Sequence, residues 1–441
     1  MKFLLLISFA LSLAAAEPAR GPLCPHPENP RYFTDGTGRA VYLTGAPTWT
    51  TIVDMGPADP PPRFDFEKFL RWVEGYRHNF IRLWTWDLVN WEPRGYREVR
   101  HHVQPLPYAR SGPGKALDGK PKFDLTRYDK EYFRRLEARV AAAGRRGFYV
   151  SVMLFEGWGL QFSPGGWEAH PFHPANNVNG VDGKGLAVYT LADPKVTALQ
   201  EAYVRRVVDT VNRFDNVLYE ISNENHPGST EWQYHMIRFL HDYERRKRKQ
   251  HPVGMTFQYK GGSNQALFDS PADWISPNPE GGYRDEPPAA DGGKVILNDT
   301  DHLWGIGGNA DWVWKTFLRG MHPLFMDPYD GLIIGKPFDP QFEPVRRNLG
   351  CTLDYAQRVN LARMKPAGEL ASSLYCLADA GREYLVFVPG GGPVTVDLTA
   401  ARGQLGAEWF DPANGVKHPA GKIAGGAWRE FTPPFPGSAV L

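Results

Sequence analysis

The stretch Asn216–His226, NVLYEISNENH, decides the fold. Val217 to Ile221 reads as a short apolar strand, and it ends in Asn223 and Glu224. A strand that finishes in an amide and a carboxylate points those groups at something. In a parallel barrel the working groups sit at the C-terminal ends of the strands. Taken alone, an acidic residue after a core strand is more often a solvated loop, so the other strand ends must decide.

Upstream, Val196–Phe214 has helical spacing, and so has Asp129–Arg146, with Tyr132, Phe133, Leu136 and Val140 on one face and Gly147 just past its end. The strand Phe148–Leu154 runs into Glu156 and Trp158. Before it, Asn79–Leu83 runs into Trp84, Trp86 and Asp87, and a helix carries Phe66, Phe69, Leu70 and Val73. Arg39–Thr44, RAVYLT, makes a first strand that leads to Trp49. A long polar loop is expected over 88–124.

Downstream, a helix over about Glu231–Lys249 precedes strands at Val253–Gln258, Trp274–Ser276 and Lys294–Leu297. The last of these runs into Asn298-Asp299-Thr300-Asp301-His302. A helix near Asp311–Arg319, a strand Leu324–Met326 ending in Asp327, and a helix near Asp354–Met364 follow. Strands that alternate with helices imply parallel βαβ units. Eight of them predict a (β/α)8 TIM barrel over residues 17–367. An open doubly wound sheet is the rival, but no Gly-rich phosphate fingerprint follows the first strand. Beyond 367, short strand-like runs punctuated by Gly and Pro predict a small antiparallel β-sandwich over 368–441.

The net charge of +1 gives no electrostatic case for nucleic acid or an anionic membrane. Met1–Ala16, MKFLLLISFALSLAAA, has a basic start, an apolar core and small residues at its end. That is the pattern of a secretory signal peptide cut near Ala16, so export is expected. No later stretch is apolar and long enough for a membrane span. Cys24, Cys351 and Cys376 form neither a disulfide framework nor a zinc pattern. The 14 Trp residues suit either a large core or sugar binding, because the apolar face of a pyranose stacks on a flat ring.

Aligned as a barrel, the strand ends deliver Trp49, Arg82, Trp84, Trp86, Asp87, Glu156, Trp158, Asn223, Glu224, Tyr259, Asp299, Asp301, His302 and Asp327 to one rim. Carboxylates among aromatics match glycoside hydrolysis, where two carboxyl groups flank the scissile bond. The run Tyr219–Glu224, YEISNE, resembles the fourth-strand motif of the clan-A, cellulase-like retaining glycoside hydrolases. That resemblance makes Glu224 the acid/base, Asn223 the partner of the sugar 2-hydroxyl, and Arg82 the cation beside the nucleophile. Trp49, Trp84, Trp86, Glu156, Trp158, Tyr259, His302 and Trp304 would line the substrate site. It implies a poly- or oligosaccharide substrate and no cofactor or metal. The segments around Leu370–Ala378, Gly381–Val386 and Trp409–Gly415 resemble a collagen-binding-type β domain found with apiosidase-like barrels.

The departure lies at the seventh strand, where the clan carries Glu. Here Asp299 is the first choice by position and Asp301 the second, with strand alternation placing both on one face. Glu220 is either a buried partner of Arg82 or a direct participant. Two other readings stay open: a non-catalytic sugar-binding protein on a degenerate barrel, and a metal-dependent hydrolase centred on Asp299, Asp301 and His302.

Overall fold

Seven strands run parallel in one curled sheet and lie in chain order: Phe80–Leu83, Tyr149–Glu156, Val217–Asn223, Val253–Thr256, Trp274–Ser276, Val295–Asp299 and His322–Leu324. The protein is seen here as a computed structural model that describes residues 17–93 and 98–441. The proposed leader at 1–16 lies outside the described residues. Every residue of Val217–Asn223 is buried, as a strand covered on both faces must be.

The eighth position of the ring corrects the expected strand Arg39–Thr44. No regular strand forms there. Val41 pairs singly with Phe33, and Gly45 with Leu324. The ring still closes, because Asn79 N donates to Thr44 O at 3.1 Å and Phe325 N donates to Gly45 O at 3.0 Å. A Cβ on Gly45 would meet the Phe80 carbonyl at 2.0 Å, so only glycine permits the approach. Pro47 brings no N–H of its own, yet its carbonyl still accepts from Asp327 N at 2.9 Å.

Helices wrap the ring with their apolar faces inward. Phe66–Gly75 buries Phe66, Phe69, Leu70 and Val73, and Asp65 caps it by accepting from Lys68 N. Lys130–Arg145 and Pro194–Val211 start in the same way at Asp129 and Asp193. Ala310–Leu318 lies as expected, whereas the last helix is Glu343–Arg358 and starts well before Asp354. Its inner face is Val345, Leu349, Leu353 and Ala356, a spacing that begins directly after Pro344. Among the described residues, no helix is long and apolar enough to cross a membrane.

The expected loop at 88–124 holds secondary structure. His101–Gln104 pairs with Asp54–Gly56 on one side and Asn90–Trp91 on the other in a three-stranded antiparallel sheet. Tyr108–Ala109 pairs with Asp124–Tyr128. These pieces stand on the rim where the strands end.

The C-terminal part is antiparallel. A six-stranded sheet includes Cys376–Asp379, Glu383–Val388, Gln404–Asp411 and Val416–Ala424, and Val394–Asp397 pairs with Trp428–Phe431. Val386, Trp409, Val396 and Phe431 share one core between the two sheets. The strand Val416–Ala424 is not legible from its sequence: it is mostly exposed, holds Pro419 and lies at the sheet's edge. Phe410 packs on Trp314 and Tyr355 of the barrel helices at 5.7 and 5.5 Å between ring centroids. The three cysteines stay separate thiols.

Candidate active site

The floor is built around Arg82, at the end of Phe80–Leu83. Its guanidinium donates to Glu220 Oε1 at 2.6 Å and Oε2 at 3.1 Å, a two-pronged pair. It also donates to Asn223 Oδ1 at 2.7 Å, and to Asp299 Oδ2 and Asp301 Oδ2 at 3.3 Å each. Its plane lies 4.3 Å over the Trp84 ring. Arg82 is only 2% exposed and Glu220 0%, so both lie below the cleft. Glu220 is therefore the buried partner of Arg82.

The two aspartates part company. Asp299 ends its strand and caps the short helix Thr300–Trp304, its Oδ1 accepting from Asp301 N at 3.0 Å. Asp301 lies in the first turn of that helix, not on the strand, so strand alternation does not relate the two. The turn lifts Asp301 into the cleft wall with Glu224, while Asp299 stays beneath it.

Glu224 follows directly on its strand in the left-handed region, at φ 42°. For a residue with a Cβ that conformation costs about 1–3 kcal/mol, and it is held by its neighbours. Gln161 donates to Glu224 O at 2.8 Å, Tyr259 N donates to Asn225 O at 3.1 Å, and the Asn225 amide donates to Ser222 Oγ at 3.0 Å. Oxygens of Glu224 and Asp301 and a nitrogen of His302 lie within 4.8 Å of one another. Burial pushes the Glu224 carboxyl far above the usual range, and the negative charges of Asp301 and Glu156 add to it. Burial also pushes Asp301 up, with Arg82 pulling it back toward the ionised form.

A third carboxyl completes the crowd. Glu156 accepts from Trp158 N at 2.8 Å and Gly159 N at 2.9 Å, yet burial carries it up to about 8. Asp87, read from the sequence as part of this rim, does not line the cleft. Its carboxylate accepts from Tyr189 Oη at 2.6 Å and from Glu156 N at 3.1 Å, and burial pushes it up to about 7. Asp327 is likewise structural, bound by Arg346 at 2.6 and 3.0 Å. His226 turns to the Leu186 carbonyl at 3.0 Å, outside the cleft.

The cleft has a volume of about 440 Å³. Trp49, Trp84, Trp86, Glu156, Trp158, Asn223, Glu224, Tyr259, Asp301, His302 and Trp304 all line it. Trp84 and Trp86 are buried wall, whereas Trp158 and Trp304 keep exposed faces. Sequence reasoning missed Trp91, Phe257, Arg284, Ile333 and Ile334. Trp91 stacks on Trp86 at 4.3 Å, and the signal for it was the Asn90–Trp91 strand hidden in an apparent loop.

Glu224, Asp301 and His302 have the spacing of a cation site, but their hydrogen bonds do not suit one. Asn223 Oδ1 can only accept, and it lies 3.3 Å from His302 Nε2, so that nitrogen carries the hydrogen. His302 Nδ1 then accepts from Ser276 Oγ at 2.7 Å. No lone pair remains for a metal, and the Arg82 cation already faces Asp301.

Solved structures share this architecture. A protein described as a glycoside hydrolase superposes with a TM-score of 0.61 over 95% of this chain and 96% of its own, at 12% identity. A family 5 glycoside hydrolase from Bacteroides vulgatus gives 0.61 over 96% and 93%, at 13% identity. The fold is that of the glycoside hydrolase barrels. Residues 94–259 match the model of a domain of unknown function, DUF6298. Residues 367–439 match "Putative collagen-binding domain of a collagenase". No curated protein sequence matches the chain.

Proposed function

We propose that the protein is a glycoside hydrolase that cleaves O-glycosidic bonds of a poly- or oligosaccharide with retention of configuration. The observation that carries this reading is the pair Glu224 and Asp301, both buried at one cleft, with carboxylate oxygens within 4.8 Å. Retaining enzymes hold their two carboxyl groups about 5–5.5 Å apart, and inverting ones about 6.5–9.5 Å. Asp301 replaces the Glu of the resembling clan: one methylene shorter, it stands two residues past Asp299, on a helix turn that brings it forward.

The roles follow from the charges. Two close carboxyls share one proton. Arg82 contacts Asp301 and not Glu224, so the proton rests on Glu224. Glu224 gives that proton to the leaving glycosidic oxygen as an Asp301 oxygen attacks the anomeric carbon. The carbon–oxygen bond breaks and a glycosyl–Asp301 ester forms. Glu224, now ionised, takes a proton from water, and the water oxygen displaces Asp301 from the anomeric carbon. The Asn223 carbonyl oxygen is held by Arg82 at 2.7 Å, which leaves its NH2 group to donate to a sugar hydroxyl. Trp158 and Trp304 offer ring faces for the sugar. Export, on the strength of the Met1–Ala16 pattern, is part of the same proposal.

The test is a panel of aryl glycosides and neutral oligosaccharides offered to the wild type and to Glu224→Gln. Hydrolysis by the wild type alone supports the reading. Turnover by both at equal rates removes Glu224 from the role.

A further inference from the structure

The three-stranded sheet on the rim has two faces, and each looks into a different cavity. Trp91 is on the face toward the cleft, stacked on Trp86. Its neighbour Asn90 must point the other way, because side chains alternate along a strand. Asn90 lies opposite His102, and Gln104 stands two residues on from His102, so the three share the second face. All three line a separate groove of about 550 Å³, larger than the cleft.

We infer that this groove is a second binding site, for a neutral saccharide. The choice of sugar as ligand class rests on the glycosidase reading; the site itself rests on its own chemistry. Most of the groove's charges are already matched in pairs, while Arg100, Asp129 and Glu168, of mixed sign, line it without an ion pair among the described residues. Arg110 holds Asp118 with both prongs of its fork, and Lys120 donates to Asp59 at 2.7 Å. Arg135 donates to Glu131 and Asp54 at 2.7 Å each. An acidic chain would have to displace the carboxylates on Arg110, Lys120 and Arg135 and would meet Asp129 and Glu168, whereas a neutral polyol finds fixed donors and acceptors. The side-chain amides of Asn90 and Gln104 make no hydrogen bond among the described residues. Each offers a donor and an acceptor side by side, the complement of two adjacent hydroxyls. Tyr108 and the Phe123 ring, which lies 4.0 Å under Arg110, add an apolar floor. The ligand is either the distal part of the chain whose reacting residue fills the cleft or a separate strand of glycan.

The test uses the full chain carrying Glu224→Gln, titrated by calorimetry with β-1,4-linked gluco-, manno- and xylohexaose and, as an anionic control, a galacturonate hexamer. Asn90→Ala with Gln104→Ala is added on the same background. At least one neutral hexamer binds, and the double change weakens it at least tenfold without altering the melting temperature. A stoichiometry of one, weakened also by Trp158→Ala, identifies one chain spanning both cavities. A stoichiometry of two identifies a separate strand. Undiminished binding after the double change, no binding of any neutral hexamer, or tighter binding of the galacturonate overturns the inference. The outcomes also separate it from the glycosidase reading. Binding through Asn90 and Gln104 without hydrolysis by the wild type sinks only the latter. Hydrolysis with binding indifferent to these residues sinks only the former.

Discussion

Two groups of buried carboxylates adjoin each other at Asp301, and they differ in one respect. Below the floor, Glu220 and Asp299 are bonded to the guanidinium or to a backbone N–H. In the cleft, among the described residues, Glu224 has no cation in contact, and Glu156 has only backbone donors. All four are buried. Burial is thus not what marks the site; the missing counter-charge, among the described residues, is. The lower group resembles the Asp327–Arg346 pair elsewhere in the barrel, which is structural. The upper group holds its acids protonated near neutral pH, the state a leaving-group acid requires. Asp301 belongs to both, close to Arg82 on one side and to Glu224 on the other.

That contrast can be broken most strongly at Glu224. Glu224→Gln keeps the shape and removes the transferable proton, so kcat/KM should fall about 10²–10⁴-fold while the protein stays folded. Glu220→Gln should do the reverse of sparing stability. It leaves Arg82 short of its main partner, and breaking a buried pair costs about 3–5 kcal/mol, measurable by denaturant unfolding. Asp327→Asn should cost a similar amount, with the folded fraction keeping its kcat.

A smaller effect sharpens the distinction through pH. Glu156 is pushed from 4.5 to about 8 in the folded chain. A folded value above the unfolded one means that the stabilisation is complete below about pH 4.5 and is lost as pH rises through about 8. The wild type should therefore melt lower at pH 8.5 than at pH 5. In Glu156→Gln that gap should narrow by about 2–4 °C. An unchanged gap would place Glu156 among the compensated group.

Much of this arrangement is legible in the sequence. NVLYEISNENH fixes a buried strand with Asn223 and Glu224 at its end, and NFIRLW brings Arg82 beneath them. The choice between Asp299 and Asp301 is not legible, because it turns on where the strand stops. Asp299 caps a helix of five residues, and no periodicity can be read in so short a piece. Trp91 was hidden for a related reason: a two-residue strand has no pattern of its own and exists through its pairing with His101–Gln104. At Gly45 the sequence shows strand-like residues, but the close approach to Phe80 that requires glycine there is a contact in space.

The central claim is that Glu224 and Asp301 act as a retaining pair. Once a substrate is cleaved, proton NMR of the anomeric signal during the first minutes reads the configuration of the newly released sugar. The account predicts the configuration of the substrate. Release of the opposite anomer would contradict it.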